Sequence, residues 1–145
     1  MSTHRYFTLA ELVKSDTAKK KGIDNTPSWE VVEHLSELVE KVLDPLRAAY
    51  GMPIKISSGY RCPALNKAVK GAATSLHMIG YAADMQVGGS FNKFRDFVVE
   101  WLKKTGTRFD QLLIESNSSG AKWLHIGLYS NSGQQRGQIK LIETK

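Results

Sequence analysis

Three residues in two short stretches have types that suit one another: His77 and Asp84 of SLHMIGYAAD, residues 75–84, and His125 of WLHIG, residues 123–127. Together they are a set of zinc ligands. A catalytic zinc takes three protein ligands and leaves its fourth position to water, which it acidifies into a hydroxide nucleophile near neutral pH. Two imidazoles with one carboxylate suit that task, since the carboxylate offsets charge without quenching the metal as several thiolates would. The spacing limits how the ligands are held. His77 and Asp84 are seven residues apart, and continuous helix would separate them by about 10 Å along its axis, too far for one ion. The segment is therefore expected to pass from loop into strand, with Gly80 at the turn.

The elements that must position these ligands follow from periodicity. After Gly51, Ile54 and Ile56 alternate in a short strand that delivers Ser57, Ser58, Gly59, Tyr60 and Arg61 to its end. In AADMQV, residues 82–87, Ala83, Met85 and Val87 fall on one face and Ala82, Asp84 and Gln86 on the other. QLLIE, 111–115, and WLHIGLY, 123–129, read as strands joined by a loop. Leu124, Ile126 and Leu128 are the apolar set of the second, so Trp123, His125 and Tyr129 point the other way. Leu112 and Ile114 as core residues put Leu113 and Glu115 opposite. Asp84, Glu115 and His125 are thus expected on the non-core face of one antiparallel sheet, with helices covering the other face.

The helices are legible from caps and stripes. Phe7–Lys20 reads as one short helix opening after Thr8, with Glu11 completing a capping box and Gly22 ending it. DNTPS, 24–28, leads into a long helix with Thr26 as cap and Pro27 at its first position. Val31, Leu35, Leu38, Val42 and Leu46 form its apolar stripe, and Pro45 is expected to kink or restart it. His34 lies within that helix without a partner motif and reads as a structural histidine. A short helix spans Ala64–Lys70. Ser90–Lys104 is a second amphipathic helix with Phe94, Phe97, Val98, Trp101 and Leu102 inward, as core rather than as a ligand box. GQIKLIE, 137–143, is a last strand or extended tail. The fold class is α+β: a small antiparallel sheet, helices on one face and a zinc cleft on the other, in one domain over 1–145.

Composition narrows the classes. The chain has 145 residues, enough to bury a core, and shows no repeat or linker long enough to separate a pair of domains. Cys62 is the only cysteine, so no intrachain disulfide forms, and a small buried hydrophobe is preferred to a reactive thiol. A net charge of +6 suits an anionic partner such as a cell-wall polymer or a nucleic acid. Lys19–Lys21 is the only run of three lysines and has no interleaved aromatics, which argues against stacking on single strands. No apolar run approaches the roughly 18–20 residues of a membrane span. Met1–Ser15 lacks an uninterrupted apolar core, so export by its own signal is not expected.

The stretch SGYRCPALNKAVKGAATSLHMIGYAADM, followed by FDQLLIE and WLHIGL, resembles the family of zinc D-alanyl-D-alanine peptidases. More closely, it is similar to the compact single-domain members found in phage and prophage cell-wall lysis proteins. The likeness covers most of the chain, including FTLAEL, KKGIDNTP and the PLR helix end, and is specific through the combination of SGYR, SxHxxGxAxD and WxHI. It implies that His77, Asp84 and His125 hold Zn2+. It implies also that Arg61 holds the substrate through charge-assisted hydrogen bonds to a carboxylate or carbonyl oxygen near the scissile bond. In the expected reaction Arg61 is catalytic as well, helping zinc to stabilise the oxyanion. Ser75 either orients His77 or caps a turn.

Several members of that family carry an acidic residue three positions before the last zinc histidine, where this chain has Lys122. Glu115 is therefore assigned as general base, taking a proton from the attacking water and passing it to the leaving amine. Substrate contacts are assigned to Arg61, Ser58, Tyr60 and Trp123. The expected function is hydrolysis of D-alanyl bonds in peptidoglycan stem peptides, as carboxypeptidase or endopeptidase. Stem peptides are the expected partners, without nucleic acid or membrane, and the chain is expected to be a monomer. It would be made in the cytoplasm without a signal peptide and act at the bacterial wall. An alternative, a zinc-containing module that binds wall peptide or a protein partner without cleaving it, is kept open by Lys122.

Overall fold

In the computed structural model, which describes residues 5–144, the chain begins with α1 (Leu9–Val13), α2 (Asp16–Lys21), α3 (Trp29–Leu38) and α4 (Asp44–Tyr50). It continues through β1 (Lys55–Ser58), α5 (Pro63–Ala68), β2 (Ala82–Gln86) and α6 (Phe91–Thr105), and closes with β3 (Gln111–Ser116), β4 (Lys122–Gly127) and β5 (Gln138–Thr144). Residues 1–4 and 145 of the domain expected over 1–145 lie outside the described residues.

The strands form one five-stranded sheet in the order β1-β2-β4-β3-β5. Its class is α+β, as the strand and helix patterns require. Strand alternation sorts the two faces. Ala83, Met85, Leu112, Ile114, Leu124 and Ile126 are buried beneath the helices, joining Leu35, Leu38, Leu46, Phe94, Val98 and Leu102 in one continuous core. Asp84 pairs with His125, and His125 with Leu113, across the opposite face.

β5 departs from the expected antiparallel sheet, because it pairs with β3 in parallel. The chain leaving β4 reverses direction, as a turn dictates, but β3 already occupies the neighbouring place. β5 must therefore dock on the far side of β3, where a strand antiparallel to β4 runs parallel to β3.

The N-terminal segment also differs from the single helix expected over Phe7–Lys20. Lys14 is extended, and the Ser15 hydroxyl accepts from the Ala18 amide to start a second helix. A serine followed by Asp16 and Thr17 is helix-start chemistry that outweighs continuation. The cap of α3 is Ser28, whose hydroxyl accepts from Val31, rather than Thr26. Thr26 is engaged elsewhere: its amide and hydroxyl both donate to Asp24 Oδ1, at 2.9 and 2.6 Å.

The restart expected at Pro45 takes the form of a π-helical turn, Val39–Leu43, between α3 and α4. Proline removes an amide and crowds the carbonyl four residues earlier, and a wider turn relieves both.

Candidate metal centre and cleft

The three candidate ligands are delivered by two devices, a strand pair and a short helical turn. Asp84 and His125 are cross-strand neighbours on β2 and β4, on the face that alternation assigns them. His77 arrives on a single 3-10 turn, Leu76–Ile79, where loop was expected. Ser75 caps that turn, its hydroxyl accepting from the His77 amide at 3.1 Å. Gly80 ends it at φ +83°, a left-handed conformation that a side chain would strain, and the chain then enters β2. The left-handed Gly80 breaks the helical path between His77 and Asp84, so residues seven apart in sequence meet.

All three side chains are buried, at 2%, 6% and 9% exposure for His77, Asp84 and His125. One ligand atom from each lies within 4.8 Å of the others. His77 Nδ1 is 2.7 Å from the Gly59 carbonyl, which can only accept, so Nδ1 carries the proton and Nε2 presents a lone pair. Ring orientation is thus set by Gly59, and Ser75 serves as cap and as a partner of Arg61 instead. A Cβ at Gly59 would collide with the Leu12 carbonyl, which also accepts from the Tyr60 amide at 2.7 Å. Glycine therefore lets α1 press against the segment that aims His77.

His77 Nε2 and His125 Nδ1 both face Asp84 Oδ1, at 3.2 and 3.0 Å. Two ring nitrogens and a carboxylate oxygen thus converge at separations that a shared cation would bridge. Burial pushes the Asp84 pKa up, but His77 and His125 outweigh it and hold the carboxyl well below the usual carboxylate range. Burial lowers the His125 pKa, while Asp84 raises it further, leaving it above the ordinary value. The donor set fits zinc. Nitrogen and oxygen ligands at about 2.0–2.1 Å on a tetrahedral ion stand about 3.3 Å apart, close to the separations from Asp84.

Around this centre a β-bulge at Ser57 shifts the register of β1, bringing Ser58 opposite Asp84. Ser58, Tyr60, Arg61 and Trp123 line a groove of about 450 Å³ together with Asp84. Tyr60 is 7% exposed and belongs mainly to the core, so it offers the groove only an edge. Arg61 is half-buried. Its amide donates to the His77 carbonyl at 3.0 Å, its Nη2 to Ser75 at 3.3 Å, and its Nε is buried without a protein partner. Burial lowers its pKa against the opposing pull of Asp84 and Glu115, yet a guanidinium stays cationic at any ordinary pH.

Glu115 stands opposite Trp123 on β3, a diagonal neighbour of His125. Its Oε1 accepts from Trp123 Nε1 at 2.8 Å, and its charge acts on both His125 and Arg61. Glu115 lines neither of the two grooves that meet at the centre. Lys122 is exposed at the start of β4.

Two supports escaped sequence reasoning. Asn25 donates to the carbonyls of Val13 and Tyr60, at 2.9 and 3.0 Å, and accepts from the Cys62 amide at 2.7 Å, which clamps the segment carrying Arg61. The Gly59 carbonyl is the other. DNTPS reads as turn chemistry, and nothing in it marks a side chain reaching 35 residues away.

No curated protein matches the chain. Residues 5–126 match the family Peptidase M15, a span that takes in Arg61, His77, Asp84 and Glu115 and closes just after His125. With well over half of its length matched, and with His77, Asp84 and His125 gathered into one buried cluster that could hold a metal ion, the chain belongs to the Peptidase M15 family.

Proposed function

We propose that the protein is a zinc-dependent peptidase that hydrolyses D-alanyl bonds in peptidoglycan stem peptides. Family membership supports a peptidase, and one observation carries the zinc reading: two imidazole nitrogens converge on a buried carboxylate at 3.0 and 3.2 Å. His77, Asp84 and His125 would hold the metal. Zinc bound there supplies Lewis acidity, which polarises a carbonyl and makes water a better nucleophile. Arg61 is the recognition group: its buried, unpartnered Nε and its charge suit an oxygen of the substrate near the scissile bond. Ser58, Tyr60 and Trp123 border the same groove and would fix the peptide backbone. Glu115 accepts the proton of the attacking water and returns it to the leaving amine, while Trp123 fixes the orientation of its carboxylate.

The test is incubation of the zinc-loaded protein with soluble wall fragments of several chemotypes. Release of D-alanine or of cleaved stem peptides is expected. Absence of both across all chemotypes, with zinc shown to be present, would contradict the reading.

A further inference from the structure

We infer that Asn66 is a positioning residue for Arg61: its side-chain oxygen takes an N–H of the guanidinium when Arg61 closes on the substrate, and Gly71 keeps the two within reach. This rests on the peptidase reading and adds to it a residue that acts through Arg61 alone.

The guanidinium is loosely held for a recognition group. It carries five N–H donors, yet its side-chain acceptor among the described residues is the Ser75 hydroxyl, at 3.3 Å. One bond fixes a point and leaves the plane free to turn about it. A fork meant for a carboxylate or carbonyl needs its plane set as well, because such bonds weaken steeply out of line. Among the described residues two buried side-chain polar atoms lack a partner, and they are Arg61 Nε and Asn66 Oδ1. One is a donor and the other an acceptor.

The two side chains are neighbours. The point at which a Cβ of residue 71 would stand is 2.1 Å from Asn66 Oδ1 and 3.3 Å from Arg61 Nη2, so carboxamide and guanidinium flank Gly71 together. Asn66 lies in α5 at 4% exposure and is itself firmly held. Its Nδ2 donates to the Ala72 carbonyl at 2.9 Å, and its backbone carbonyl accepts from the Gly71 amide at 2.8 Å. A carbonyl only accepts, so the NH2 end must face Ala72 and the oxygen is left for another donor. The loop tied down in this way runs on to Ser75, so both acceptors offered to Arg61 are set from α5. A buried oxygen without a partner is costly to keep, and a guanidinium that turns towards it on meeting substrate gives it a use. Gly71 is outside the left-handed region, so its backbone accepts alanine and only the Asn66 side chain and the Arg61 guanidinium stand in the way.

The zinc-loaded full chain is assayed on soluble wall fragments. Asn66→Ala, which removes the oxygen, and Gly71→Ala, which drives it aside, are each expected to lower kcat/KM about ten-fold or more with zinc content unchanged. In an Arg61→Lys background, where no fork exists to be aimed, the same two changes are expected to cost less than about two-fold. Equal losses in both backgrounds would mark a merely structural role and overturn the inference, as would full activity in either variant. A wild-type chain that binds zinc and cleaves no fragment would overturn the peptidase reading and the inference together.

A spectroscopic readout separates the two without turnover. Rotation of the Arg61 guanidinium about its Nε–Cζ bond, followed by nitrogen NMR of the zinc-loaded Glu115→Gln chain, is expected to slow when the fragments are added. With Asn66→Ala also present it is expected to stay fast. Rotation that slows equally with and without Asn66, or in neither chain, would overturn the inference and leave the peptidase reading standing.

Discussion

Asp84 is the residue on which the centre turns. Burial pushes its pKa up, and the two imidazoles outweigh burial and hold it below the usual carboxylate range. Glu115 is proposed as the base, and substitution can separate the two carboxylates. Glu115→Gln preserves shape and the bond to Trp123, and is expected to lower kcat by about 10²–10⁴-fold with zinc content unchanged. Full activity in that variant, measured on soluble wall fragments, would assign the base elsewhere. At this scale the meeting of His77, Asp84 and His125 was legible in sequence, as was the face shared by Asp84, Glu115 and His125, because alternation along a strand is strict. Ring orientation was not legible. It depends on the backbone carbonyl of Gly59, eighteen residues from His77, and a carbonyl leaves no mark in residue type.

Among the elements, α3 is joined to the strands of the centre by Glu37. Its carboxylate accepts from Tyr81 at 3.1 Å, just before β2, from Tyr129 at 2.8 Å, just after β4, and from Lys41 at 2.7 Å. His34, on the same helix, stacks on Tyr81 with ring centroids 4.1 Å apart, the structural role its sequence context suggested. Burial raises the Glu37 pKa, but Lys41 and the two tyrosine hydroxyls outweigh it and leave it below the ordinary value. A depressed carboxylate pKa adds stability above the unfolded value, and that stability is lost as pH falls through the folded one. Glu37→Gln is therefore expected to lower Tm by roughly 3–6 °C at pH 7, with the gap to wild type closing below about pH 4. A gap that stayed constant from pH 7 to pH 3 would show that the network's charge is immaterial.

The same scale marks where sequence patterns stop. The apolar stripes of α3 and α6 and the strand periods were readable because burial imposes them locally. The parallel docking of β5 was not, since GQIKLIE carries no record of which strand already occupies the place beside β4. The cap of α3 was misplaced by two residues because Thr26 and Ser28 are equally good caps in isolation, and only the Asp24 side chain decides between them.

Over the whole molecule, helices and core fill one face of the sheet and leave the other to a buried ligand cluster flanked by two clefts. No helix among the described residues is long and apolar enough to cross a membrane. Stability and chemistry are thereby divided between opposite faces, so the ligands can be altered without removing a core side chain. Whether His77, Asp84 and His125 together bind one zinc ion is decided by elemental analysis of the purified chain and of His77→Ala, Asp84→Ala and His125→Ala after dialysis against zinc. About one zinc per wild-type chain, falling below about one-tenth in each variant, is the expected result. A wild-type chain that takes up no zinc, or a variant that keeps its full complement, would contradict it.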